Sequence, residues 1–193
     1  MTSILKVDTI QDTDGNNIIN ESSNTITIGA SGDTTNIVGT LQNNGASVGG
    51  ANTPYFYARL SSEQTGITAS ASTKVTFQTE DFDTGSEYDN SSNYRFVPAN
   101  GNTYLIHSVL VMGGSSNTLL QEARIQLYKN GSEVFDTRND TYNNNSNSMS
   151  PSLSKIVTGN GSDYYEIYGQ AHVSSGTAKF RVGSFFTAFK LIS

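Results

Sequence analysis

An all-β protein in two parts is what the 193-residue sequence predicts, and three observations carry that prediction. From Tyr55 onward, short runs of alternating apolar and polar residues are separated by Gly, Asn, Asp and Ser clusters, the pattern of half-buried strands joined by turns. RIQLYKNGSEVFDTR (124–138) places two such runs around Asn130-Gly131, and Asn-Gly supplies the positive-φ pair of a type I′ hairpin. All ten tyrosines and nine phenylalanines lie at or beyond Tyr55, so the large core-forming side chains are confined to one part of the chain.

Composition narrows the function classes. The formal net charge is −6 and the sequence pI near 4.7, which argues against capture of nucleic acid or anionic membrane by clustered Lys and Arg. No cysteine is present, so neither disulfides nor thiolate metal sites hold the fold. MTSILKVDTIQDTDG shows no basic segment followed by an apolar run, so no secretory signal is expected. No apolar stretch approaches the roughly 20 residues that span a bilayer. Only 15% of residues are charged, amid abundant Asn, Ser, Thr and Gly, a surface chemistry suited to extracellular or virion β-proteins.

Residues 1–44 form the first part. They carry small apolar clusters on a polar chain: Ile4, Leu5, Val7 and Ile10; Ile18 and Ile19; Ile26 and Ile28; Ile37 and Val38. Turn sequences at Asp14-Gly15-Asn16 and Gly29-Ala30-Ser31-Gly32 separate them. Clusters this small do not offset the ordering entropy of an isolated monomer. Their β-branched character speaks against disorder, so the expectation is an intertwined β-stem in which several chains share the isoleucines. Residues 45–54, GASVGGANTP, read as a flexible linker.

Residues 55–193 read as consecutive strands at FYARL, KVTFQ, NYRFV, TYLIHSVLVM, ARIQLYKN, SEVFDTR, SLSKIVT, DYYEIYGQAHV and KFRVGSFFTAFKLI, which together predict a sandwich or barrel. At the centre lies YRFVPANGNTYLI (94–106). Pro98 ends one strand because it cannot donate to a ladder, and Gly101 permits the return. Tyr94, Phe96, Tyr104 and Ile106 are expected to face the core.

This order of features resembles the globular head of C1q and the tumour necrosis factor superfamily. YRFVPANGNTYLI looks like that family's F-x-x-P-x-x-G-x-Y-x-F corner. LYKNG, GNGSDYYEIY and SFFTAFKLI follow in the family's order, the last resembling S-x-F-S-G-F-L-L. Leu105-Ile106 and Thr187-Ala188 depart from the pattern, and no collagen repeat precedes the head. The resemblance implies a ten-stranded jelly roll that assembles as a homotrimer, with Phe185, Phe186 and Phe189 near the threefold axis. The first 44 residues resemble, in style, the N-terminal segments of structural proteins from tailed phages, especially cyanobacterial ones.

Candidate sites are few. TEDFDTGSEYD crowds Glu80, Asp81, Asp83, Glu87 and Asp89, and calcium prefers such oxygen-rich loops. Asp81, Asp83, Glu87 and Asp89 are therefore the candidate ligands, against a simple solvated acidic loop. The polar run TYNNNSNSMSP offers Tyr142, Asn143, Asn144, Asn145 and Asn147 as receptor contacts. His107 and His172 stand alone in strands, and no nucleophile motif or paired-His cluster is present, so no catalytic residue is assigned and no enzyme is expected. Together the two resemblances imply a homotrimeric phage structural protein located on the virion. Its N-terminal segment joins other virion proteins, and its head meets a host-surface glycan. A capsid cement protein of the same architecture and a secreted C1q-like lectin or cytokine-like ligand are the alternatives.

Overall fold

The computed structural model describes residues 9–11, 13–14, 17–22, 25–28, 31–39, 41–43, 46–47, 52–115, 120–141 and 146–191. Every regular element among them is a strand. The chain divides into two compact units, residues 1–49 and 50–193.

In the first unit β1 (Thr9–Gln11), β2 (Asn17–Ser22) and β3 (Thr25–Ile28) form an antiparallel meander. Their register aligns Ile10 with Ile19 and Ile19 with Ile28, one cross-strand row of isoleucines supplied by a single chain. Ile10 and Ile28 are exposed, as are Ile37 and Val38 in the extended stretch that follows. Ile18 and Ile26 lie on β2 and β3, while Ile4, Leu5 and Val7 lie outside the described residues. β4 (Gln42–Asn43) pairs with β5 (Ala46–Ser47), so the span read as linker contributes a strand.

The second unit contains β6 (Tyr55–Arg59), β7 (Gln64–Thr68), β8 (Thr73–Lys74), β9 (Thr79–Asp83), β10 (Tyr88–Asp89), β11 (Arg95–Phe96), β12 (Thr103–Val109) and β13 (Met112–Gly114). It continues with β14 (Leu120–Lys129), β15 (Ser132–Asp140), β16 (Ser148–Met149), β17 (Ser152–Thr158), β18 (Tyr165–Val173), β19 (Thr177–Phe180) and β20 (Phe185–Lys190). Fifteen strands replace the ten expected because several long runs break where the chain bends, as between β12 and β13 and between β19 and β20. A five-stranded sheet runs β17-β12-β20-β6-β9. Opposite it, β10-β11-β18-β14-β15 form a second sheet, with β8 also paired to β18. β16-β13-β19-β7 make a four-stranded extension.

Between the sheets lies the core. Phe56, Phe77, Phe96, Tyr104, Phe180 and Phe186 are fully buried, and each large aromatic removed from water contributes roughly 1.5–3 kcal/mol. Phe56 stacks on Tyr88 at 4.8 Å between ring centroids and meets Phe186 edge-on at 5.0 Å. Alternation along β12 buries Tyr104, Ile106 and Ser108 and turns Leu105, His107 and Val109 to the other face. Two expectations are corrected. Tyr94 does not enter the core, because it sits half-buried at φ 50° in the turn before β11, which reverses its side chain from the strand alternation. Phe186 is a core residue, and only Phe185 and Phe189 face outward.

The corner at Pro98–Gly101 is pinned from two sides. Gly101 N–H donates to the Gly159 carbonyl (3.0 Å) and Gly159 N–H to the Asn102 carbonyl (2.8 Å). The Glu87 carboxylate accepts from the Ala99 N–H (2.9 Å) and the Tyr104 hydroxyl (2.5 Å).

Candidate interaction face

The outer face of the five-stranded sheet is built by register. One cross-strand row reads Ile156, Leu105, Phe189 and Tyr55; the next reads Ser154, His107, Thr187, Tyr57 and Phe82; a third reads Ser152, Val109, Phe185 and Arg59. Each strand alternates, so the residues that miss the core all emerge here. The rings interlock. Tyr55 meets Phe82 at 5.3 Å, Phe82 meets Tyr57 at 5.8 Å, Tyr57 stacks on Phe185 at 5.2 Å, and Phe185 lies 5.4 Å from the His107 ring.

Much of this surface remains in contact with water. Phe82 is 47% exposed, Ile156 62% and Tyr55 36%, although cross-strand neighbours already cover part of each. A contiguous apolar patch of this kind marks an interaction surface. Charge is held to its margin, where Arg59 Nε donates to Asp81 at 2.9 Å. His107 Nδ1 lies 2.9 Å from the Ser154 hydroxyl and 3.1 Å from the Leu153 carbonyl.

The second sheet shows the opposite chemistry on its outer face. Arg124 bridges Glu133 (2.5 Å) and Asp136 (2.8 Å), and Lys74 meets the buried Glu166 at 2.5 Å. Gln126 donates to Glu133 at 2.6 Å, and Tyr128 stacks on Tyr168 at 4.0 Å. The Arg124 guanidinium holds the Asp136 carboxyl below the usual carboxylate range. The charges named here are paired on this face, while the buried Gln126 Oε1 has no hydrogen-bond partner.

The structure disperses the acidic cluster. Asp81 faces Arg59, and Asp83 accepts from the Gly85 and Tyr88 N–H groups. Glu87 holds the corner, while Asp89 accepts from the N–H groups of Ser91, Ser92 and Asn93. Among the described residues no three His, Asp or Glu side chains come together in a group able to hold a metal ion, so the four carboxylates do not form one calcium cage. The Ser92 N–H, with those of Ser91 and Asn93, keeps Asp89 far below the ordinary carboxylate range. Burial, aided by the Glu87 carboxylate, pushes the Tyr104 phenol up to about 12.

Of the polar loop, Asn147 is exposed beside β16, and Tyr142, Asn143, Asn144 and Asn145 lie outside the described residues. His172 Nδ1 approaches the Ser70 hydroxyl at 2.9 Å, a contact no local sequence signal announces across 102 residues. His172 is exposed, and no carboxylate hydrogen-bonds its ring among the described residues, so the pair lacks the orienting third group of a nucleophilic triad. The aromatic face was only partly visible in sequence. Phe185 and Phe189 stood out there, whereas Phe82 sits in an acidic strand that reads as loop.

No protein-family model matches the chain, and no curated protein matches it. Among solved structures, the globular domain of zebrafish complement 1qA protein aligns with a TM-score of 0.50 at 15% identity, covering 72% of this chain and 98% of that one. Eiger TNF from S. frugiperda aligns with a TM-score of 0.47 at 10% identity, covering 72% of this chain and 92% of that one. The larger unit therefore has a C1q-like jelly-roll fold.

Proposed function

We propose that this chain is a non-enzymatic, ligand-like display protein whose C1q-like head works as a homotrimer closed through the aromatic face. One observation carries the reading: an interlocked set of exposed and half-buried rings crosses β9, β6 and β20, while the opposite sheet presents neutralised charge. A cyclic trimer needs two unlike patches that meet between neighbours. The second patch is at hand on the edge strand β15, where Val134 is 41% and Phe135 36% exposed, with Lys155 over the Phe135 ring.

In the finer reading, residues 1–44 attach the trimer to a phage particle as a short fibre or spike, and the head engages a host-surface glycan. The exposed Ile10, Ile28, Ile37 and Val38 support an associating stem. Three weak contacts per trimer then act as one strong attachment. A secreted C1q-like ligand is the second reading, favoured by the likeness of the head to a complement domain.

Sedimentation of the full chain tests the trimer: the wild type should run at three times the chain mass of 20.7 kDa, and Phe82→Glu at one. A wild-type monomer overturns the proposal. Incorporation into particles after removal of residues 1–54 tests the anchor. A truncated head that still incorporates refutes it.

A further inference from the structure

A titratable ring stands within the aromatic face. His107 lies opposite Ser154 of β17 and Thr187 of β20, between Leu105 and Val109 on its own strand. Its ring is 5.4 Å from that of Phe185. The side chain is half-buried before any second copy covers it. Histidine is the side chain whose ordinary charge change falls between pH 5 and 8, and His107 is the one histidine on this face.

No anion is placed to hold a positive charge there. Nδ1 approaches the Ser154 hydroxyl and the Leu153 carbonyl, and Nε2 has no hydrogen-bond partner among the described residues. Register sends Lys155, Lys190, Glu80 and Asp83 to the other side of the sheet, with Ile106, Tyr104, Ala58 and Phe56. The charges left on this face are Arg59 and Asp81, which pair with each other at its margin. Tyr55 and Tyr57 add phenols, and an ordinary phenol carries no charge below about pH 9. On the β15 edge that the trimer reading sets against this face, Arg124 holds Glu133 and Asp136, and Arg138 meets Glu122. Lys155 adds a positive charge over Phe135, and Asp140 closes β15 at the end away from Val134.

We propose that His107 makes closure of the trimer depend on pH: the neutral ring packs into the closed face, and the protonated ring opens it. This deepens the trimer reading above and rests on it. In the separate chain, water solvates an imidazolium. In the closed ring the added N–H and its charge lose that water and gain no carboxylate. The tilted Phe185 ring offers a cation–π contact, a weaker partner than the water it replaces. Closure therefore favours the neutral ring, so the trimer holds above the ordinary imidazole range and is lost as the pH falls through it. Three copies carry the same cost, which makes the response steep.

The test is sedimentation equilibrium of the full chain over a dilution series between pH 7.5 and 5.5 at fixed ionic strength. An ordinary imidazole is about tenfold more protonated than neutral at pH 5.5, so three of them weaken the trimer about 1,000-fold. The chain concentration at half assembly should then rise about 30-fold, the square root of that factor. The slope of the dissociation constant against pH should approach about three protons taken up per trimer, a reading that needs no variant. His107→Gln and His107→Leu remain uncharged, so each should keep at pH 5.5 whatever assembly it shows at pH 7.5. His172→Gln, on the other sheet, should respond as the wild type does. A wild type that is trimeric and equally tight at both pH values overturns the switch and leaves the trimer standing. A wild type that is monomeric at both overturns the trimer and the switch with it. Acid weakening that persists in the His107 variants assigns the response to another group and overturns the proposal.

Discussion

Gly159 shows how narrowly single residues fix the corner of the head. A Cβ there would sit 2.2 Å from the Ala99 carbonyl oxygen and 2.7 Å from that of Pro98, both backbone atoms unable to swing aside. Gly159→Ala should therefore cost roughly 1–3 kcal/mol by overpacking, read as a lower midpoint in urea. Asp89 acts through charge. Its carboxylate gathers the N–H groups of Ser92, Ser91 and Asn93, which depresses its folded pKa. A depressed carboxylate favours folding above its unfolded value near pH 4, and that contribution fades as the pH falls toward the folded value. Asp89→Asn should lose roughly 1–2 kcal/mol at pH 7 and melt with a shallower decline between pH 5 and 2. Sequence made Pro98 and Gly101 legible because their backbone constraints are local. Glu87 was not, since its partner Tyr104 is named only by the fold. The same holds for Asp81, whose neighbour Arg59 lies 22 residues away.

Elements were readable wherever alternation and turn chemistry agreed. β17 occupies the SLSKIVT run at its full length, and the β14–β15 hairpin turns on Asn130 and Gly131 at φ 51° and 79°, as a type I′ turn requires. Gly131→Val forces a β-branched residue into that region and should destabilise by roughly 1–3 kcal/mol in equilibrium unfolding. β9 escaped the same logic. TEDFD carries three carboxylates in five residues and reads as a loop, yet it pairs with β6 and brings Phe82 beside Tyr57. Tertiary pairing outweighed propensity there, because an edge strand leaves its charged side chains in water. The acidic look of this element also prompted the calcium reading. With Asp81 engaged by Arg59 and Asp83 by backbone donors, melting curves with calcium and with chelator should coincide. A rise of several degrees with calcium would show that the loop reorganises to bind it.

At the scale of the whole molecule, the two sheets of the head share one core and differ in what they show the solvent. Arg124, Glu133 and Asp136 neutralise one outer face, whereas Tyr55, Tyr57, Phe82 and Phe185 leave the other apolar. That asymmetry was out of reach of the sequence, because alternation says that a side chain leaves the core without saying which neighbours it joins. It has a consequence for stability. If the aromatic face closes a ring, each copy buries Phe82 against a neighbour, and losing that ring costs on the order of 2 kcal/mol per interface. Three interfaces multiply the loss to about 6 kcal/mol per trimer. Folding then couples to assembly, and the wild-type melting point should climb with protein concentration. Phe82→Ser should remove most of that climb while the dilute melting point hardly moves, since Phe82 lies outside the core. Gln170→Ser, on the polar face, should keep the climb intact. Equal concentration dependence in both variants would detach assembly from the aromatic face.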